Sequence, residues 1–411
     1  MAELTGKTIL VGVSGGIAAY KMPNLVSMLV QNGADVHVLL TENAKNIIPP
    51  LPFEALTGNR CLTSPFERSD PPVIHHIALA KKADLLFLAP ASADIIGKCA
   101  NGIADDMLTS TILACQCPIY FAPAMNDRMY TNSIVQENME KLRRHGWHQI
   151  DPAVGHLACG GAGLGKMPNP EELYLYIQRE LACKKDMAGL KLLVTAGATQ
   201  EAIDPVRYIT NHSSGKMGYA IAKAAMLRGA EVTLVSGRTA LTPSPFVHTV
   251  DVVSAADMYR EVTARAPEQD IIIKAAAVAD YTPAEVADEK IKKKDGDLSI
   301  PLTRTQDILG YLGAHRVPGQ VLCGFSMETE HMLENSRKKL EKKNVDLIAA
   351  NNVKVAGAGF QGDTNVLTLI TRENEFELPL MSKEQAAHQL LNKLLEIRLE
   401  LGHKGEIDDD D

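Results

Sequence analysis

The sequence predicts an α/β protein of two Rossmann-like domains, each a doubly wound, mainly parallel sheet. Three observations predict it. Short apolar runs alternate with amphipathic runs of helical period along the chain, the pattern of parallel strands joined by crossover helices. The pattern also occurs twice. K-T-I-L-V-G-V at 7–13, a glycine turn, a helix through Val30 and N-G-A-D-V-H-V-L-L at 32–40 are echoed later in the chain. The echo is K-L-L-V-T at 191–195, a loop, a helix over 218–228 and R-G-A-E-V-T-L-V-S at 228–236. Finally, 411 residues exceed what one hydrophobic core normally serves.

The remaining elements follow in order. Apolar runs at 85–89 and 119–122 read as further strands of the first domain, and 170–181 as its last helix. The polar, glycine-ended stretch 183–189 reads as the boundary, giving domains 1–184 and 185–402. In the second domain 271–275 and 347–350 read as strands and 330–343 as a helix. The last helix is signalled by a capping box, Ser382 with Gln385, and an apolar stripe of Leu390, Leu391, Leu394 and Leu395. The tail 403–411 is acidic and is expected to be disordered.

Composition narrows the function. A net charge of −8 argues against a nucleic-acid backbone as the main partner. Seven cysteines, odd in number and without a C-x-x-C pair, point to a reducing cytoplasm rather than a disulfide framework. Lys7 already opens a strand, leaving no signal segment, and no apolar run approaches the roughly 18 residues of a membrane span. A soluble cytoplasmic protein is expected.

The most marked segment is D-P-V-R-Y-I-T-N-H-S-S-G-K-M-G at 204–218, between a strand and a helix, where open α/β sheets bind anionic ligands. It supplies small residues (Ser213, Ser214, Gly215), two cations (Arg207, Lys216) and the amide of Asn211. It is not a Walker A loop, because Met217 stands where a Ser or Thr should follow Gly-Lys. In the first domain the turn G-V-S-G-G-I-A-A-Y-K at 12–21 lacks G-x-G-x-x-G spacing, and alone it is a weak signal. Three segments strengthen it: P-A-S-A-D at 90–94, P-A-M-N-D-R-M-Y at 123–130, and 155–167, with five glycines around one cysteine, as a mobile lid. In the second domain A-A-A-V-A-D-Y at 275–281 leaves a strand at its carboxyl edge, and E-K-I-K-K-K at 289–294 follows in a polar loop. Such a charge run is usually a solvated loop, although lysine is also a compact charge for phosphate.

These motifs, in this order, resemble the flavin-dependent cysteine decarboxylases. Over nearly the whole chain they resemble the bacterial bifunctional phosphopantothenoylcysteine decarboxylase/phosphopantothenate–cysteine ligases of coenzyme A synthesis. The resemblance implies a flavodoxin-like FMN domain followed by a CTP-dependent ligase domain, with Mg²⁺ (or Mn²⁺) whose ligands the sequence does not pick out. In that chemistry the flavin oxidises a cysteine-derived thiol to a thioaldehyde, the neighbouring carboxylate is lost, and a lid cysteine helps return the electrons. Cys159 matches that cysteine, His76 in H-I-A-L-A the family histidine, and Asn126 in P-A-M-N the amide that orients the substrate carboxylate. Ser14, Gly15, Gly16, Thr41, Ser92 and Thr109 are the implied flavin contacts.

For the ligase, the resemblance gives Asn211 the acyl-cytidylate and Arg207 the phosphate of 4'-phosphopantothenate. Asp280, Lys290, Lys339 and Lys343 go to CTP, Lys290 favouring the first step. Gln306, Asp307, Ile308 and Leu309 form a loop whose backbone reads cytosine, and Phe325 packs on the base. One departure is Gln306, where relatives often have a proline. The implied partners are 4'-phosphopantothenate, L-cysteine and CTP, in a homo-oligomer. Two other readings stay open: a non-catalytic flavin-binding regulator on the same folds, and a nicotinamide oxidoreductase, against which the missing G-x-G-x-x-G counts.

Overall fold

The structure is a computed structural model of the chain and describes residues 3–66, 74–156, 162–293, 298–328, 332–352 and 362–407. The chain divides into two compact units, Met1–Cys183 and Lys184–Asp411.

In the first unit β1 (Thr8–Val13), β2 (Asp35–Leu40), β3 (Leu85–Ala91), β4 (Ile119–Pro123) and β5 (His148–Gln149) form a parallel sheet. Their order is β2-β1-β3-β4-β5, the doubly wound arrangement, with its switch between β1 and β3. Every residue of β1 and β3 is buried, as the near-continuous apolar runs require of strands covered on both faces. The period of two sorts them. Ile9, Val11, Leu85 and Phe87 join the core under helices Met22–Gln31 and Pro170–Leu181. Leu10, Leu86 and Leu88 join the opposite core with Ile95, Leu108 and Phe121. Each such side chain contributes roughly 1.5–3 kcal/mol by leaving water. The glycine-rich stretch read as a lid contains two strands, β6 (Ala153–His156) and β7 (Ala162–Lys166), paired antiparallel.

The second unit begins with β8 (Lys191–Ala196), the small hairpin β9 (Gln200–Ala202) and β10 (Tyr208–Thr210), then β11 (Glu231–Ser236), β12 (His248–Asp251) and β13 (Ile271–Lys274). The paired β14 (Tyr281–Pro283) and β15 (Leu302–Arg304) precede β16 (Val321–Glu328) and β17 (Leu347–Asn352). Four short strands complete it: β18 (Thr364–Asn365), β19 (Leu367–Ile370), β20 (Glu375–Glu377) and β21 (Met381–Ser382). The large sheet runs β12-β11-β8-β13-β16-β17-β19-β20, parallel through β17 and antiparallel beyond it. Helix Lys216–Leu227 starts two residues before the predicted 218. Gly218 lets it lie on the end of β8, since a Cβ there would stand 2.6 Å from that of Ala196.

The capping box at the last helix, Lys383–Ile407, forms as read. Gln385 N–H donates to Ser382 Oγ at 3.1 Å and Ser382 N–H donates to Gln385 Oε1 at 3.1 Å. Leu390, Leu391 and Leu394 are fully buried beneath it. Its backbone stays helical through Ile407, past the start of the expected tail, and 408–411 lie outside the described residues. Among the described residues, no helix is long and apolar enough to cross a membrane.

Candidate active sites

The second unit has a cavity of about 920 Å³ at the carboxyl ends of β13 and β16. Asn211, Asp280, Gln306, Asp307, Ile308, Leu309, Phe325, Lys339 and Lys343, drawn from separate motifs, all line it. The run A-A-A-V-A-D is strapped across the sheet edge. Ala276 N–H donates to Thr195 Oγ1 at 3.0 Å, Ala277 N–H to the Gly197 carbonyl at 2.9 Å, and Ala279 N–H to Thr199 Oγ1 at 3.0 Å. Asn211 Nδ2 donates to the same strap, to the Val278 carbonyl at 3.2 Å. Thr305 then draws the next segment alongside, its hydroxyl donating to the Ala279 carbonyl at 2.6 Å and its N–H to that of Asp280 at 3.0 Å.

The stretch Q-D-I-L is a helix start rather than a loop. Asp307 caps helix Ile308–Ala314, accepting from Gly310 N–H at 3.0 Å, and Ile308 and Leu309 are its buried first residues. An Asp three residues before a Gly N–H is a strong N-cap, and it outweighs the loop reading here. Lys339 and Lys343 share one face of helix Met332–Lys343, as their spacing predicts. Lys339 donates to the Phe325 carbonyl at 2.9 Å, and Lys343 pairs with Asp307. Partial burial opposes the charge on Asp307, but Lys343 and the Gly310 N–H prevail and hold its carboxyl below the usual range.

Two of the expected ligase residues do not line the cavity. Arg207 is engaged elsewhere: its Nε donates to Asp204 at 2.9 Å, and its terminal nitrogen pairs with Asp204 and donates to the Ile291 carbonyl at 2.9 Å. The fully buried Asp204 carboxylate also accepts from the N–H groups of Val206 at 2.8 Å, Arg207 at 2.9 Å and Ile291 at 3.1 Å. The Arg207 guanidinium, and then the backbone donors, hold its carboxyl well below the usual range against the cost of burial. Lys290 is exposed, immediately before the Ile291 that this clasp grips.

Sequence reasoning missed Lys274 and Lys383, which line the same cavity. Lys274 ends the strand I-I-I-K but lies inside the run read as a strand at 271–275, and Lys383 opens the last helix; neither stood out from its element. Burial first, then the charge of Lys339, brings the Lys274 ammonium down to about 8. The residue is half-buried and lines the cavity. Burial likewise lowers Lys383, with Lys216 adding repulsion and Asp363 opposing it.

In the first unit Ser14, Gly15, Gly16, Thr41 and Ser92 follow the carboxyl ends of β1, β2 and β3, next to the switch point. Ser14 ties two of these ends together, donating to the Pro90 carbonyl at 2.7 Å and accepting from Ser92 N–H at 3.0 Å. Thr41 and Ser92 cap the helices that follow, accepting from Ala44 N–H at 3.3 Å and Ile95 N–H at 3.4 Å. A hydroxyl that accepts in this way still has its proton to donate to a ligand. Thr109 differs: it is buried, its hydroxyl closed into a capping box with Asp106 at 2.7 Å.

Asn126 caps helix Asp127–Tyr130, accepting from Arg128 N–H at 2.9 Å. Strand β7 lies directly against it, because Met125 N–H donates to the Gly165 carbonyl at 3.1 Å. Gly165, at φ +116°, has no room for a side chain: a Cβ would stand 2.3 Å from the Met125 carbonyl. His76 sits in the first turn of helix His75–Lys82, and its Nδ1 is buried with no partner among the described residues. Cys159 lies outside the described residues. Among those described, no cluster of three or more His, Cys, Asp or Glu side chains could hold a metal ion.

Residues 1–182 match the family Flavoprotein, and residues 187–397 match the DNA/pantothenate metabolism flavoprotein C-terminal domain. The chain is 45% identical over 405 residues to the Coenzyme A biosynthesis bifunctional protein CoaBC of Bacillus subtilis (strain 168), covering 98% of this chain and 100% of that protein. A solved C-terminal domain of a protein with the same name is 46% identical, covering 52% of this chain and 98% of its own at a TM-score of 0.45. The solved FMN-dependent cysteine decarboxylase SpaF is 32% identical, covering 39% of this chain and 91% of its own at a TM-score of 0.36. The chain belongs to the family of bifunctional coenzyme A biosynthesis proteins, a flavoprotein domain followed by a pantothenate-metabolism domain.

Proposed function

We propose the following division of labour between the two units. The chain is a bifunctional enzyme of coenzyme A biosynthesis, joining 4'-phosphopantothenate to cysteine and decarboxylating the product to 4'-phosphopantetheine. The second unit carries the ligation. The phosphopantothenate carboxylate attacks the α-phosphorus of CTP and pyrophosphate leaves; the cysteine amine then attacks the acyl carbon, loses a proton, and CMP leaves. Two steps are needed because a carboxylate is a poor electrophile until a good leaving group is attached. The observation that carries this reading is the single cavity in which Asn211, Asp280, Phe325, Lys339 and Lys343 meet.

In that cavity Phe325 packs on the base, beside the start of helix Ile308–Ala314. Lys339 and Lys343 turn to the triphosphate, exchanging the Phe325 carbonyl and Asp307 for stronger anionic partners. Asn211 orients the acyl-cytidylate. Lys290 approaches from its loop to neutralise charge that develops on the α-phosphoryl oxygens. Arg207 acts mainly through that loop, and its role toward the phosphopantothenate phosphate is secondary. Magnesium or manganese enters with the triphosphate, the usual way such an ion reaches a nucleotide site.

The first unit carries the decarboxylation. The edge suits a flavin: hydroxyl donors and helix starts cluster at the switch point, and His76 has an orphaned buried nitrogen. Ser14, Gly15, Gly16, Thr41 and Ser92 hold FMN, with Thr109 supporting the wall. When bound, the flavin supplies a two-electron acceptor for the substrate thiol. Asn126 orients the substrate carboxylate without adding charge, His76 positions the substrate through its unpaired nitrogen, and Cys159 donates a proton from the lid as the two electrons taken from the thiol return to the product, so that the decarboxylation is redox-neutral overall.

The test is to supply phosphopantothenate, cysteine, Mg²⁺ and either CTP or ATP, and to identify the products by mass. Phosphopantetheine formed with CTP supports the reading. Product formed only with ATP would overturn the nucleotide assignment, and no product with either would overturn the ligase reading.

A further inference from the structure

Five lysines among the described residues line the nucleotide cavity, and they are not alike: Lys216 pairs with Asp363 and Lys383 donates to the Gly362 carbonyl. Lys343 faces Asp307 and Lys339 donates to a carbonyl, whereas Lys274 makes no hydrogen bond or ion pair among the described residues. Lys274 closes a strand whose other residues, Ile271 to Ile273, are buried, at the centre of the parallel sheet between β8 and β16. An ammonium held there loses hydration without a fixed counter-charge to replace it. The charged groups facing it are Lys339 and Lys343 from helix Met332–Lys343, Asp307 from the cap of helix Ile308–Ala314, and Asp280 from the strap. Three ammonium groups therefore meet two carboxylates, one of which is already paired. The surroundings of Lys274 carry a net positive charge that an incoming anion can compensate.

We propose that Lys274 contacts the phosphates of the bound nucleotide from the floor of the cavity, beside Lys339 and Lys343. This rests on the reading of the cavity as the nucleotide site, and it adds a cation that no protein group among the described residues already pairs. Without ligand, burial and the two lysines keep the Lys274 ammonium near 8, Asp307 and Asp280 only partly opposing them. A bound polyanion favours the charged form and raises that value. By linkage, binding below about pH 8 moves no proton at this site, because the ammonium is already charged. Above it, binding takes a proton from solvent, so affinity falls as pH rises.

The experiment is calorimetric titration of the full-length protein with CTP and MgCl₂ at pH 7 and pH 8.5, in pairs of buffers differing in ionisation enthalpy. At pH 8.5 the parent should take up more than about half a proton per CTP. Lys274→Met should abolish this uptake and weaken CTP binding at pH 7 by about tenfold. Lys274→Arg should retain affinity but lose the uptake, since guanidinium does not titrate. If Lys274→Met does not fold, the parent's uptake and the Arg variant still decide the matter. CTP binding without proton uptake in the parent would overturn this inference alone. Failure of the parent to bind CTP at all would overturn the nucleotide reading, and this inference with it.

Discussion

The two candidate sites occupy the same place on similar sheets, the carboxyl edge of a doubly wound parallel core, yet they differ in charge. The cavity of the second unit adds to its serines, glycines and amides a set of charges: Lys216, Lys274, Lys339, Lys343, Lys383, Arg304, Asp280 and Asp307. The candidate residues of the first unit are hydroxyls, glycines, an amide and an imidazole. Topology supplies the edge, and the side chains follow the charge of what happens there. A triphosphate losing pyrophosphate needs cations that strengthen their grip as charge develops. A thiol being oxidised next to a carboxylate that must leave gains nothing from a cation that would stabilise that carboxylate in the ground state. The comparison can be broken or sharpened by changes that should affect one half-reaction and spare the other.

The largest effect is expected for Cys159→Ser. Flavin absorbance and phosphopantothenoylcysteine formation should match the parent, while phosphopantetheine output falls by at least a hundredfold, as expected when an acid or nucleophile is removed. Equal phosphopantetheine output from mutant and parent would remove Cys159 from the mechanism.

Lys290→Gln should act only in the charged site, slowing pyrophosphate release from phosphopantothenate and CTP, cysteine omitted, by about a hundredfold. The neighbouring exposed Lys292 and Lys293 should each matter less than about threefold when changed to Gln, because screened, mobile lysines contribute little. Similar losses at all three positions would mean that the run acts as a diffuse positive field.

Asp204→Asn sharpens the comparison by a different route, because Asp204 touches the loop and not the cavity. It should slow the same half-reaction by about tenfold in the parent but less than about twofold in a Lys290→Gln background, the non-additivity of groups acting through one another. Trypsin cleavage after Lys290 should also quicken by more than the accompanying fall in melting temperature accounts for. Additive losses in the double mutant would leave Asp204 a purely structural role.

The pattern of hits and misses in the sequence follows from what a sequence can encode locally. The first four strands of the first unit and both ends of the last helix's capping box were legible because strand runs, helix caps and glycine turns are short-range signals. Nine of the cavity residues were legible through motifs, although nothing local in A-A-A-V-A-D or G-F-S-M brings those motifs to one place. The resemblance gave Arg207 a substrate phosphate, and its pairing with Asp204 was not legible beside it, because only the fold buries that acid. Lys274 was passed over for the converse reason: inside a run read as a strand over 271–275 it looked like one more strand residue, whereas here the strand ends at it, in a cavity. Burial of a single charge depends on what packs over it from distant segments, and that information is spread over the whole domain.

The smallest predicted effect tests the uncharged site. Ser92 serves the fold as the N-cap of helix Ala93–Ala100 and, in the proposed reading, donates its hydroxyl proton to the flavin. Ser92→Ala removes both, and the two can be told apart. Loss of an N-cap costs about 1 kcal/mol, which lowers the melting temperature of a domain this size by roughly 2–4 °C. Loss of one neutral hydrogen bond to the ligand should weaken flavin retention on dialysis by about five- to tenfold. Ser92→Gly restores most of the cap, since glycine is tolerated there to within a few tenths of a kcal/mol, but it still lacks the hydroxyl. The Gly variant should therefore melt close to the parent and lose flavin like the Ala variant, with ligation unchanged in both. If it instead retains flavin as the parent does, Ser92 is a helix cap only, and the flavin's hydrogen bonds must come from Thr41 and the backbone that follows β1.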